Sequence, residues 1–273
     1  MTPEALPRPP AEPLPRPPAE PLPAAWPLPL WIAHRGAGRL APENTLAAFR
    51  LGAAHGYRAF ECDVKLSADG QPFLLHDTRL DRTTPERGPA GDRPWAELSR
   101  LDAGGWHGRA YAGEPLPHLD AIVRFVQRNG YALNLEIKPT PGLEQATGTA
   151  VAEACRRLYR GCAAPLLLSS FRPEALQAAQ AAAPEIPRAL LLDRLWPGWP
   201  GVARALACVA VVTDYALMDA ALRAQLHAQG LRALCYTVND PAEARRLLGL
   251  GIDGLITDAV DRFSPQAGPQ VFD

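Results

Sequence analysis

Residues 58–76 read RAFECDVKLSADGQPFLLH, and the fold turns on how this stretch is parsed. Arg58–Leu66 reads as one strand and Gln71–His76 as another, with only Ser67-Ala68-Asp69-Gly70 between them. A parallel crossover needs a dozen or more residues, whereas Asp-Gly favours a hairpin turn. The second strand is therefore expected to fold back antiparallel, as an arm. Counting back from the turn pairs 66 with 71 and 61 with 76, which sets His76 beside Glu61.

Outward from this hairpin, the chain alternates. Leu30–Ala33 is a short apolar strand followed by His34-Arg35-Gly36. Pro42 suits the first turn of a helix whose apolar stripe is Leu46, Phe49, Ala53 and Ala54. Residues 78–117 are rich in Gly, Pro, Asp and Arg, show no long period, and read as an irregular insertion. Leu119, Ile122, Val123 and Val126 then recur at helical spacing. Further strands are expected at Ala132–Ile137, Leu166–Ser169, Ala189–Leu192, Cys208–Val212, Ala233–Val238 and Gly254–Thr257. Helices are expected near residues 143–160, 173–183, 200–206, 218–228 and 241–249. Such alternation predicts a parallel sheet with helical crossovers. With Gln71–His76 set aside as the arm, eight strands remain. The predicted fold is α/β: a (β/α)8 TIM barrel over residues 30–265, with a small insertion and a hairpin arm after its second strand.

Twelve of the 30 prolines fall in residues 1–30, where LPRPPAEP occurs twice in succession from Leu6 to Pro21. That run favours an extended, solvated path, so residues 1–29 are expected to be a disordered tail. A net charge of −1 excludes the broad basic field that dominates nucleic-acid binding. No apolar run approaches the roughly 20 residues of a membrane span. Five cysteines without C-x-x-C spacing argue against a disulfide framework or a structural zinc site and suit a reducing cytoplasm.

The chemistry-bearing residues cluster at strand ends. Glu61 and Asp63 are two apart and share a face, as do Glu136 and Lys138. In a barrel all strand C-termini open on one mouth. Three carboxylates there would repel unless a cation lay among them, and oxygen-only ligation suits Mg2+ or Ca2+. Arg35 offers a planar fork for a phosphate. His34 and His76 flank the group, and imidazole is the side chain most often used as general acid or base. Glu43 and Asn44 stand close behind His34 in sequence and are candidates to support it. The chain has 26 arginines but only two lysines, Lys65 and Lys138, which marks both as positions where a compact ammonium is needed.

Other motifs have plainer readings. Gly36-x-Gly38-x-x-Ala41 imitates a dinucleotide fingerprint, but Pro42 would sit inside the helix that motif must open. His55 and His227 precede glycines at helix ends, where the helix C-terminus accounts for them. His118 is expected to be solvated. Trp95 and Trp106 either pack the insertion or cover the site.

The ordered string His34-Arg35-Gly36, Pro42-Glu43-Asn44-Thr45, Glu61-Cys62-Asp63, His76-Asp77 and Glu136-Ile137-Lys138 resembles the glycerophosphodiester phosphodiesterase family. The likeness continues through Ser169-Ser170-Phe171, Tyr236-Thr237-Val238-Asn239 and Asp253–Asp258, and it is greatest to the bacterial cytosolic, Ugp-type members. Tyr236 departs from the tryptophan usual there. The resemblance implies hydrolysis of glycerophosphodiesters to sn-glycerol 3-phosphate and an alcohol. It implies Glu61, Asp63 and Glu136 as ligands of one divalent cation, and His34 and His76 as the acid–base pair. Arg35 and Lys138 would then bind phosphate, and Phe171 and Tyr236 the substrate. A related barrel lyase that stops at a cyclic phosphate, or an inactive barrel that binds phosphodiesters, are the alternatives.

Overall fold

The decisive hairpin forms with a register one residue away from the expected one. The computed structural model describes residues 26–265, so most of the expected tail, residues 1–25, lies outside the described residues. Strand β1 (Trp31–Ala33) leads through α1 (Leu46–Ala54) to β2 (Ala59–Leu66), and β3 (Pro72–Leu74) returns antiparallel along β2. Val64 pairs with Leu74, Lys65 with Phe73 and Leu66 with Pro72. The expected count of four loop residues fails because the turn is shorter. Ser67 N–H donates to Gln71 O at 3.0 Å, which leaves Ala68-Asp69-Gly70 as the loop, with Gly70 left-handed at φ 75°. A three-residue hairpin ending on a left-handed glycine is a favoured form. Continued to residue 76, this register would set Cys62, not Glu61, opposite His76. The last bond of the ladder runs from Leu75 N–H to Asp63 O at 3.2 Å, while Leu74 N–H faces away from β2 and donates to Pro117 O at 3.0 Å, so the ladder stops short of residue 76.

The remaining elements are α2 (Trp95–Leu98), α3 (Leu119–Arg128), β4 (Ala132–Ile137), α4 (Glu144–Leu158), β5 (Leu166–Ser170), α5 (Pro173–Ala182), β6 (Arg188–Leu192), α6 (Trp199–Ala205), β7 (Ala210–Asp214), α7 (Ala220–Ala228), β8 (Arg232–Tyr236), α8 (Pro241–Gly249) and β9 (Gly254–Thr257). The parallel strands run in the order β1-β9-β8-β7-β6-β5-β4-β2, and Ala33 on β1 pairs with Phe60 on β2 to close the barrel. This is the predicted (β/α)8 TIM barrel, with β3 as the arm outside it.

Helix α1 starts later than Pro42 suggested. Asn44 is left-handed at φ 60°, which breaks any helix running back to the proline. Thr45 becomes the N-cap, its Oγ1 accepting from Ala48 N–H at 3.2 Å and donating to Pro42 O at 2.7 Å.

One apolar cluster lies between the sheet and its helices, and a second fills the barrel interior. Ala59, Ala132, Ala189 and Ala210 make the lower interior narrow-walled, and Leu28 fills the space they leave, with Trp26 packed beside it. The tail boundary expected after residue 29 therefore cuts through packed structure. The insertion holds its own cluster of Leu80, Ala90, Leu98, Ala103 and Leu116, which packs on Phe73 and Leu75 of the arm. Among the described residues no helix is long and apolar enough to cross a membrane.

Candidate active site

Strand alternation carries Glu61 and Asp63 of β2 and Glu136 of β4 to one rim, where Asp63 is the register partner of Glu136. All three are buried, and one carboxylate oxygen from each lies within 4.8 Å of the others. Burial and the neighbouring charges of Asp63 and Glu136 push the Glu61 carboxyl well above its ordinary range. Burial, then Asp63, pushes Glu136 up to about 7. Burial also works against Asp63, but the nearby cations overcome it and hold this carboxyl below the usual range. Lys138 Nζ lies 3.2 Å and Arg35 Nε 3.3 Å from its oxygens, and Asn44 Nδ2 donates to it at 2.8 Å. Arg35 and Lys138, expected at this rim, thus offset part of the triad's charge. Glu61 is the least compensated, with the Arg35 backbone N–H at 3.1 Å and His34 Nε2 at 3.7 Å.

The loop after β1 brings in His34 and Arg35. Arg35 is left-handed at φ 50°, a conformation that a non-glycine residue adopts only when its surroundings impose it. The gain is that its N–H meets Glu61 while its guanidinium reaches Asp63 and donates to Glu43 at 2.8 Å. Burial opposes the Arg35 charge, but Asp63, Glu43 and Glu61 together raise its pKa. Gly38 lets the loop pass against the Asp258 backbone, where a Cβ would come within 2.1 Å of Asp258 O. Asp258 is placed to hold His34, with Oδ1 at 2.6 Å from Nδ1, and Asn239 Nδ2 donates to its other oxygen at 3.0 Å.

His76 follows the arm and lines the same cleft as His34 and Glu61, so the expected gathering occurs despite the shifted register. Its Nδ1 lies 2.7 Å from Asp77 Oδ1. Burial lowers the His76 pKa against the pull of Asp63, favouring the neutral imidazole. Arg82 of the insertion ties Asp77 to Glu43, donating to each through two nitrogens at 2.6–3.1 Å. Asn44 secures Asp63 from both sides, since its Oδ1 also accepts from the Asp63 N–H at 3.1 Å.

The cleft has a cavity volume of about 170 Å³ and is walled further by Lys138, Phe171 and Tyr236. Phe171 and Tyr236 meet edge to face at 5.7 Å, and the Lys138 ammonium stands 5.8 Å from the Phe171 ring. Every sequence-predicted site residue therefore reaches this cleft or its carboxylates. Lys65, the other lysine, is buried behind it and donates to Lys138 O at 3.0 Å. Burial and Lys138 lower its pKa to about 8. Trp106 borders a second depression beside His34, Arg35, Arg39 and Glu43, whereas Trp95 packs on Phe73 and His118. His118 is not merely solvated: its Nδ1 accepts from Asp120 N–H as the N-cap of α3.

Sequence reasoning missed Asp258 and Arg82 as supports and Asn134 and Ser169 as lining residues. Asn134 had a readable signal, being two positions before Glu136 and so on its inward face. Arg82 had none, because nothing local separates it from the other arginines.

The glycerophosphoryl diester phosphodiesterase family pattern matches residues 34–262. A glycerophosphodiester phosphodiesterase of Caldanaerobacter subterraneus subsp. tengcongensis is 30% identical over 234 residues, covering 84% of this chain and 93% of that protein. Among solved structures, an Oleispira antarctica phosphodiesterase in complex with the product sn-glycerol-3-phosphate superposes with TM-score 0.79 at 37% identity, covering 85% of this chain and 93% of that one. A glycerophosphodiester phosphodiesterase from Agrobacterium tumefaciens gives TM-score 0.72 at 30% identity, covering 86% and 98%. With its acids, imidazoles and cations gathered on one barrel rim, the chain is an enzyme of the glycerophosphoryl diester phosphodiesterase family.

Proposed function

We propose that this enzyme hydrolyses glycerophosphodiesters, such as glycerophosphocholine and glycerophosphoethanolamine, to sn-glycerol 3-phosphate and the free alcohol. The observation that carries the reading is one cleft holding His34, His76, Arg35 and Lys138 against three buried carboxylates within 4.8 Å. The product named in the Oleispira antarctica complex supports the same substrate class.

Glu61, Asp63 and Glu136 fit one hard divalent cation, Mg2+ or Ca2+. Their donors are all oxygen, and burial first, with the repulsion of neighbouring acids second, raises the carboxyls of Glu61 and Glu136, a cost that a bound cation would relieve. When bound, the cation neutralises charge that builds on the phosphoryl oxygens. Arg35 and Lys138 add fixed positive charge at the same place and orient the phosphate. With Nδ1 engaged by Asp258, His34 presents Nε2 to the cleft; Asp77 does the same for His76. One imidazole removes a proton from the nucleophile, either water or the glycerol 2-hydroxyl, and the other gives a proton to the departing alcohol oxygen; in the second case water then opens the cyclic phosphate to sn-glycerol 3-phosphate. Phe171 and Tyr236 wall the substrate on the far side. Four of the five cysteines are buried as free thiols, which supports a cytoplasmic setting.

A coupled assay with glycerol-3-phosphate dehydrogenase, run across head groups with and without chelator, tests the reading. Release of sn-glycerol 3-phosphate that stops on chelation and returns with Mg2+ or Ca2+ is expected. A product pool that ends as cyclic phosphate, or turnover unaffected by exhaustive chelation, overturns it.

A further inference from the structure

Two side chains in the cleft have no partner. Asn134 of β4 is 1% exposed and Ser169 of β5 is fully buried. Neither Asn134 Nδ2, Asn134 Oδ1 nor Ser169 Oγ makes a hydrogen bond, and both residues line the cleft. Buried amides and hydroxyls are nearly always satisfied, because an unpaired one has lost water and gained nothing. The two sit next to the acids: Asn134 is the register partner of Glu61, and Ser169 that of Glu136.

We propose that Asn134 and Ser169 are a hydroxyl-binding floor that receives the glycerol end of the substrate. This rests on the phosphodiesterase reading above and adds which end of the diester enters the barrel. Asn134 offers an acceptor and two donors, and Ser169 offers one of each kind. That mixture matches hydroxyl groups, which both donate and accept. A phosphate only accepts, and Arg35 and Lys138 are its natural partners. Leu191 and Ile256 beside the floor give the carbon chain an apolar wall. Below it the interior is closed by the packed cluster of Leu167, Val212 and Leu234. A closed pocket admits a small terminal group, and glycerol is the invariant terminal group of this substrate class. The variable alcohol then faces the second depression, which shares His34 and Arg35 with the cleft and is bordered by Arg39, Trp106 and His107.

The test compares binding of sn-glycerol 3-phosphate with propyl phosphate, the same skeleton without either hydroxyl, by calorimetry on the full chain with Mg2+ present. The wild-type chain is expected to prefer the hydroxylated ligand by tenfold or more. Ser169→Ala and Asn134→Leu should each lower affinity for sn-glycerol 3-phosphate about tenfold, while propyl phosphate binds as before. Neither should melt at a lower temperature than wild type, since each removes a polar group that is unpaired in the free protein. Equal loss on both ligands, or a lowered melting temperature, would assign the pair a structural task and overturn the proposal. An unchanged preference in both variants would overturn it as well. If wild type binds neither phosphate and releases no sn-glycerol 3-phosphate from any diester, the functional reading fails first and the floor fails with it. A wild type that hydrolyses the diesters yet shows no preference sinks the floor alone.

Discussion

On β2 and β4 the inward face changes from alanine to acid within two or four residues, from Ala59 to Glu61 and from Ala132 to Glu136. On β6, β7 and β8 the same face stays apolar through Leu191, Val212 and Leu234. The acid at the end of β7, Asp214, turns aside to cap the next turn, accepting from Ala216 N–H at 2.8 Å. One half of the barrel therefore concentrates charge that needs elaborate compensation by Arg35, Lys138 and Asn44. The other half supplies wall and stability. Substitutions in the two halves should accordingly fail in different ways, the first through chemistry and the second through folding.

The largest effect is expected at the acids. Glu61→Gln and Asp63→Asn should each lower turnover by about 10³-fold or more, as loss of charge stabilisation at a phosphoryl centre does. Glu61→Gln also relieves repulsion in the cation-free protein, so its melting temperature without divalent ion should not fall. A Glu61→Gln chain that keeps wild-type turnover in the coupled assay breaks the division between halves. Next come the imidazoles: His34→Ala and His76→Ala should each cost about 10²–10⁴-fold in kcat. Full activity in either would remove that residue from proton transfer.

Both halves were unequally legible in the sequence. The apolar half was read from strand runs alone, since alternating strand and helix patterns need no partner to be recognised. The hairpin was readable as a hairpin because Asp69-Gly70 is a turn signal, but its register depended on whether Ser67 and Gln71 pair, which no pattern reports. The start of α1 was misread for a similar reason. Pro42 signals a helix, and the left-handed turn at Asn44 that postpones it goes with side-chain bonds to Asp63 that no local pattern reports. His34, Glu61, Asp63, His76 and Glu136 announced themselves as polar residues at strand ends. Asp258 and Arg82 did not, because a supporting residue is defined by what it touches across 224 and 39 positions of chain.

A smaller effect should come from Arg82, which couples the insertion to the charged half. Arg82→Gln breaks its contacts to Glu43 and Asp77, and through Glu43 loosens the hold on Arg35. About a tenfold loss in kcat/KM is expected, of the order of one charge-assisted hydrogen bond. An unaltered kcat/KM would show that Glu43 holds Arg35 unaided. In the apolar half, Val212→Ala should lower unfolding free energy by about 1–2 kcal/mol through lost burial and a cavity. Its kcat should stay within twofold of wild type, and a larger fall would mean the wall also shapes the chemistry.

The smallest effect is a pH dependence of the Arg82 strap. Hydrogen bonds from Arg82, then from His76, lower the Asp77 pKa from 3.8 to about 2. A carboxyl depressed in the folded state stabilises the fold above its unfolded pKa, and that contribution is lost as pH falls through the folded value. The window is therefore about pH 4 down to about pH 2. Asp77 is partly exposed, so solvent screening limits the contribution to about 1 kcal/mol or less. The stability gap between wild type and Arg82→Gln, read from urea midpoints, should be full at pH 5 and narrow steadily below pH 4. Glu43 shares the strap and also titrates low, since Arg82 and Arg35 overcome the cost of its burial, so the narrowing should be broad. A gap that holds constant to the lowest pH at which the fold survives would mean that Arg82 acts by packing against Trp106, whose ring its guanidinium faces at 6.0 Å. Both residues belong to the insertion, so the stabilising contact would then lie within it, and the charged pairs to Glu43 and Asp77 would add nothing measurable to stability.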